Sequence, residues 1–412
     1  MVKPKHLVSL NHQAIESPNG RFFVDPGNGA TFDLSDLRVC SFRTDTVRQL
    51  YHGRLRQSVL GLFEKPGIVQ FAGAHWYASR IGRDSGFQYS LQNADLGVIL
   101  LIKSFHVPAD QEGHHLKIEL SPHFIQEHTE RELQFHLDVW ADDVLTNWSH
   151  GGVAVHVACD VQGWTPPADF ETRLHCRSRR VRSFHGIDEM QWDQQAARYG
   201  RGQSFLFGSA GGMQLAVYDK TEEATAKDRL DYWRHVWDRS GCYDPSEPVT
   251  RIELRFHHSV VNQFADGSVD TTTGEQFDMS SYEGVYQHLS ALWRYGMDSF
   301  RFLLRPGYFH PVWSVLARQV LEEIPNCVEY KRHYKSSDTF SGKNIELLLG
   351  NFISCATRHQ MTKRNTWEAI KNMPFWEIIR DYYHQKGKDE KELRRHLYQL
   401  HDERVVRYGR AV

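Results

Sequence analysis

The sequence predicts an α+β fold: a twisted antiparallel sheet with flanking helices, followed by a mainly helical, basic C-terminal domain. Three observations predict it. Between about residue 55 and residue 270, several segments alternate apolar and polar side chains with a period of two, the pattern of half-buried strands. From Ser280 onward the apolar spacing becomes helical, in SYEGVYQHLSALWRYGMDSFRFLL, PVWSVLARQVLEEI, NIELLLGNFISCATRHQM and TWEAIKNMPFWEIIRDYYHQ. Charge divides the chain in the same sense: residues 331–412 hold 17 Lys+Arg against 10 Asp+Glu, and the remainder holds 32 against 41. The expected division is a turn-rich N-terminal arm over 1–50 (SPNG, DPGNG), a β-rich domain over 51–275, and a helical region over 276–412.

The strands carry the argument for a site, because alternation sorts each into a core face and an outer face. In HLKIELS, Leu116, Ile118 and Leu120 share one face, with His115, Lys117 and Glu119 on the other. VAVHVACD puts Val153, Val155, Val157 and Cys159 together, opposite Ala154, His156, Ala158 and Asp160. Met213, Leu215 and Val217 of MQLAVYDK alternate with Gln214, Ala216, Tyr218 and Lys220. In RIELRF, Ile252, Leu254 and Phe256 alternate with Arg251, Glu253 and Arg255. A plain solvated face would carry interchangeable Lys, Thr and Ser. These outer positions instead hold a histidine with an aspartate, a tyrosine beside a lysine, and a glutamate between two arginines. Carboxylates with an imidazole can hold a divalent cation, arginine can clamp phosphate, and tyrosine can act as a nucleophile.

Composition bounds the partners. With 40% hydrophobic and 24% charged residues the chain is globular, and a net charge of −2 excludes a globally basic coat for nucleic acid. A local basic surface remains open. In RLHCRSRRVRSFHG, Arg173, Arg177, Arg179, Arg180 and Arg182 fall within ten residues, and the last four are the expected contacts to an anionic partner. No apolar run approaches the roughly 20 residues of a membrane span, so no membrane partner is expected. MVKPKHLVSLNHQ lacks a signal-peptide core, and the six cysteines lie far apart with no CxxC pair. A reducing cytoplasm is the expected compartment.

FLFGSAGGMQLAVYDKTEE followed by VTRIELRF resembles the single-tyrosine replication initiation factors of rolling-circle plasmids and some filamentous phages, together with related relaxases. The pieces occur in the family's order: Gly208–Ser209, then Tyr218–Asp219–Lys220, then Arg251–Ile252–Glu253. HLKIELS and VAVHVACD resemble two upstream strands of the family, and the likeness covers roughly residues 85–265. Two positions depart from it, with His156 where the family has an aspartate and Ala154 where it has an arginine.

The resemblance implies site-specific DNA nicking and closing through a 5′-phosphotyrosyl intermediate. Tyr218 would be the nucleophile, with Lys220 and Arg251 beside it. Mg²⁺ or Mn²⁺ would sit on His156, Asp160 and Glu253, with Glu119 as a further ligand. The implied partners are double-stranded origin DNA with a hairpin or single-stranded nick site, a host helicase and often a second copy in a homodimer. The helical region would bind DNA or a partner. Three other readings stay open: a conjugative-element relaxase with the same chemistry, a nuclease that uses activated water, and a DNA-binding protein without catalysis.

Overall fold

A computed structural model describes residues 12–13, 22–25, 27–82, 86–176, 181–184, 189–192, 195–198, 204–323, 327–333 and 342–407. The chain divides into two compact units, Met1–His333 and Tyr334–Val412.

The first unit is built on one antiparallel sheet of eleven strands. In chain order these are β1 (Arg38–Leu55), β2 (Gly67–Phe71), β3 (Ala74–Arg80), β4 (Phe87–Asn93), β5 (Val98–Ser104), β6 (Glu112–Leu120), β7 (Leu145–Gln162), β8 (Val181–Phe184), β9 (Ser204–Gly208), β10 (Met213–Asp219) and β11 (Thr250–Phe256). Across the sheet they run β8-β9-β10-β11-β7-β1-β6-β5-β4-β3-β2. The α+β class expected from the sequence is therefore the class observed.

One face of the sheet carries the apolar set read from the period of two. Val153, Val155, Val157, Leu215, Val217, Ile252, Leu254 and Phe256 are all buried in the main core. Helices α1 (Glu130–Val144), α4 (His258–Gly267), α5 (Leu289–Ser299) and α6 (Pro311–Leu316) contribute Leu137, Phe264, Trp293 and Trp313 to that core. The opposite face is polar but is not left to solvent. Helices α2 (Lys220–Ala226) and α3 (Leu230–Asp238) follow β10, and Ala224, Trp233, Val236 and Trp237 form a small second core with Cys40 and Val249.

Three expectations are corrected here. Residues 38–50, assigned to an arm, form most of β1, the strand between β7 and β6. Its sequence hides this because polar residues such as Ser41, Thr44 and Gln49 are buried along it and interrupt the apolar alternation. Residues 276–333 belong with the sheet, since Met279, Tyr282, Leu289 and Trp293 join its core and Phe300–Arg305 is a strand paired with Leu174–Cys176. The helical run expected after Ser280 is also broken, into Tyr282–Tyr286 and α5.

The second unit holds helices α7 (Gly342–Arg358), α8 (Lys363–Lys371), α9 (Trp376–Gln385) and α10 (Glu390–Arg407). Ile345, Leu349, Ile353, Trp367, Ile370, Ile379, Tyr383, Leu393 and Leu397 form its own core. The break between α8 and α9 falls at Pro374, where the missing N–H and the ring stop a helix. No helix among the described residues is long and apolar enough to cross a membrane.

Candidate active site

The site is built around Glu253 on β11. Directly opposite it stand Ala158 on β7 and Ala216 on β10, so its side chain has room above both neighbouring strands. Tyr218 and His156 occupy the diagonal positions, within reach of a long side chain across a ladder. Tyr218 Oη donates to Glu253 Oε2 at 3.1 Å. His156 Nδ1 lies 3.0 Å from Glu253 Oε1, and Arg255 donates from Nε at 2.8 Å and from Nη2 at 3.2 Å. Tyr218 is 4% exposed and Glu253 2%, so a phenol, an imidazole and a guanidinium converge on one carboxylate out of bulk water.

A residue absent from the sequence-based set completes the group. Along the β7–β1 ladder His156 pairs with Thr46 and Val157 with Thr44, which leaves Asp45 as an extra residue in a β-bulge. A bulge re-aims the side chain at the inserted position. Ligand atoms of Asp45, His156 and Glu253 all lie within 4.8 Å of one another, close enough to share one ion.

Asp160, expected as a ligand, has a different role. It stands opposite Arg251 in the ladder, and both its oxygens accept from that guanidinium, Nε to Oδ1 at 2.6 Å and Nη2 to Oδ2 at 2.8 Å. Trp237 Nε1 donates to Oδ2 at 2.8 Å. Arg251, expected beside the scissile phosphate, is fully buried and spends its remaining amino group on Asp45 Oδ1 at 2.5 Å. Burial alone would lower the Arg251 pKa, but Asp160 and Asp45 carry it well above the usual range.

Lys220 is also displaced from the expected strand face. β10 ends at Asp219, whose side chain accepts from Glu222 N at 2.9 Å and caps α2, so Lys220 is the first helical residue. Its ammonium pairs with Glu223 at 2.5 Å and lies 4.4 Å from the Trp233 ring centroid and 5.9 Å from that of Tyr218. The spacing Asp219-Lys220-Thr221-Glu222 is a helix-start signal that could have revealed this.

Electrostatics suit the site to a cation. Burial would raise the Glu253 carboxyl, but Arg255, the His156 hydrogen bond and Arg251 hold it well below the usual carboxylate range. Burial lowers the His156 pKa, which favours the neutral imidazole that a metal needs.

The group opens into a cleft of about 440 Å³ that Tyr218, Arg48, Glu119, Lys227, Arg229 and Arg255 also line. Gln92, Asn93 and Ser121 form part of the lining as well. Glu119 faces the cleft but pairs with Lys117 at 2.9 Å and approaches Arg48 at 3.5 Å, and it is not in the three-residue group. Arg177, Arg179 and Arg180 lie outside the described residues, and Arg182 falls in β8.

Fold and site together define an α+β protein with a buried tyrosine–carboxylate–imidazole group at a cleft lined by both acidic and basic side chains. Over 427 aligned positions the chain is 45% identical to "Uncharacterized protein ORF430" of Pseudomonas phage Pf1, covering all of this chain and 99% of that protein. The chain belongs to the family of that phage protein. No protein-family model and no solved structure matches it.

Proposed function

We propose that this chain is a site-specific DNA nicking–closing enzyme that initiates rolling-circle replication, with Tyr218 as the nucleophile. The observation that carries the reading is the Tyr218 hydroxyl on Glu253, a carboxylate that shares one cleft with Asp45 and His156. Relationship to a phage protein accords with an origin in a mobile element, and three arginines and two lysines stand among the acids of the cleft to meet a polyanionic strand. The remaining elements of the reading are a cytoplasmic setting, origin DNA with an exposed nick site, a host helicase and a homodimer.

Tyr218 Oη attacks phosphorus, the P–O3′ bond breaks, and the departing 3′-oxygen takes up a proton in place of the one the phenol loses. The 5′-phosphotyrosyl bond keeps the energy of the broken ester for rejoining, and the free 3′-hydroxyl primes synthesis. Arg48 and Arg255 stand in the lining where backbone phosphates would pass. Lys220 places positive charge near the phenol ring. Asp45, His156 and Glu253 would hold Mn²⁺ or Mg²⁺, which supplies Lewis-acid polarisation of the phosphate. Two carboxylates with one imidazole favour Mn²⁺, since nitrogen ligands suit transition metals better than Mg²⁺.

The test uses supercoiled DNA of the replicon that encodes the chain. Nicked and relaxed circles should form with Mn²⁺ and disappear with excess EDTA. Glu253→Gln should bind the same DNA and leave it supercoiled. Full nicking in EDTA, or by Glu253→Gln, contradicts the reading.

A further inference from the structure

We infer that Arg251 is the positioning residue of this site: a buried chain from Trp237 through Asp160 and Arg251 fixes the Asp45 carboxylate for a divalent cation. The inference rests on the metal-dependent reading above and concerns the layer of residues behind it. Asp45 sits in a bulge, with no residue directly opposite it in the β7–β1 ladder to set its orientation. Arg251 supplies that constraint through its Nη1 bond to Asp45 Oδ1, beside a longer bond that Thr46 Oγ1 donates to Oδ2 at 3.2 Å. The guanidinium is held in turn, with Nε and Nη2 forked onto Asp160 and its carbon 4.2 Å from the Trp233 ring centroid. Trp237 fixes the far side of Asp160. A planar, forked cation is held this way where an ammonium would not be, because lysine offers a point charge without the fork.

Groups that orient a metal ligand from behind change metal affinity strongly even though they never touch the ion.

The experiment titrates Mn²⁺ into the full-length protein without DNA, reading free Mn²⁺ by electron paramagnetic resonance. Each variant is first shown to be folded by circular dichroism. Arg251→Lys and Asp160→Asn should each weaken Mn²⁺ binding by about tenfold to a hundredfold, and nicking should recover when Mn²⁺ is raised accordingly. A merely structural role predicts no such recovery. Should either variant fail to fold, Trp237→Phe keeps an aromatic ring while losing the Nε1 donor to Asp160 and part of the buried indole, and should still weaken binding by about tenfold. Affinities of all folded variants within about twofold of wild type overturn the inference, as does a wild-type chain that binds no Mn²⁺. If Mn²⁺ binding depends on Arg251 while Tyr218→Phe nicks normally, the tyrosine reading falls and this inference stands.

Discussion

At the scale of residues, one face of a sheet is divided between a group open to a cleft and a group sealed beneath helices. Glu253 and Asp160 are both carboxylates on that face, and the sequence treats them alike. What separates them is the residue opposite: alanines flank Glu253, whereas Arg251 stands across from Asp160. Register fixes that difference, and register is invisible in a single strand. Glu223 shows what burial does to a charge. Burial would raise its carboxyl, but Lys220 and Lys227 hold it down at about 2. Lys220 is itself lowered, since burial and Arg251 outweigh its attraction to Glu223. The carboxylate sets the pH dependence, because its titration falls in the acid range. A depressed carboxyl stabilises the fold above the unfolded-state value near 4.3 and loses that contribution as pH falls toward 2. Glu223→Gln should therefore lower stability by about 3 kcal/mol at pH 7, with the gap narrowing at pH 3. Urea midpoints at the two pH values check this, and an equal gap at both contradicts it.

At the scale of elements, the four strands read from the sequence all form, and three of them, β10, β11 and β7, are neighbours that bring Tyr218, Glu253 and His156 together. That much was legible because each strand buries one apolar face and so obeys a period of two. β1 was not legible. Its register shifts break the alternation at the point where Asp45 is placed, and RTDTVRQ carries no apolar stripe. The end of β10 was misread for a related reason. Alternation assigns Lys220 to a strand, but the Asp219 cap starts a helix one residue earlier. The cap gives a direct test. Asp219→Ala should destabilise the protein by about 1 kcal/mol and Asp219→Asn by only a few tenths, because asparagine also caps. Denaturant midpoints of the two variants should separate, and equal losses would mean that the side chain acts through charge alone.

At the scale of the whole molecule, the chain is two compact units with separate cores, and its net charge is close to zero. Helical spacing misled the expected boundary at 275, because residues 276–333 are helical in pattern yet bury Tyr282, Leu289 and Trp293 in the core of the sheet unit. Neutralising Arg177, Arg179, Arg180 and Arg182 should weaken binding to origin DNA. The slope of log affinity against log salt should fall by up to about 3.6, roughly 0.9 for each phosphate that is no longer neutralised. An unchanged slope would place those arginines away from DNA. Covalent chemistry at Tyr218 is tested by following label from nicked supercoiled DNA onto the protein. With Mn²⁺ present, the wild-type chain should carry a 5′-phosphate in an SDS-stable adduct and leave a free 3′-hydroxyl. Tyr218→Phe, which removes one oxygen and little volume, should bind the same DNA and form no adduct. An adduct of wild-type yield on the phenylalanine variant, or nicking by the wild-type chain with no adduct at all, would contradict the account.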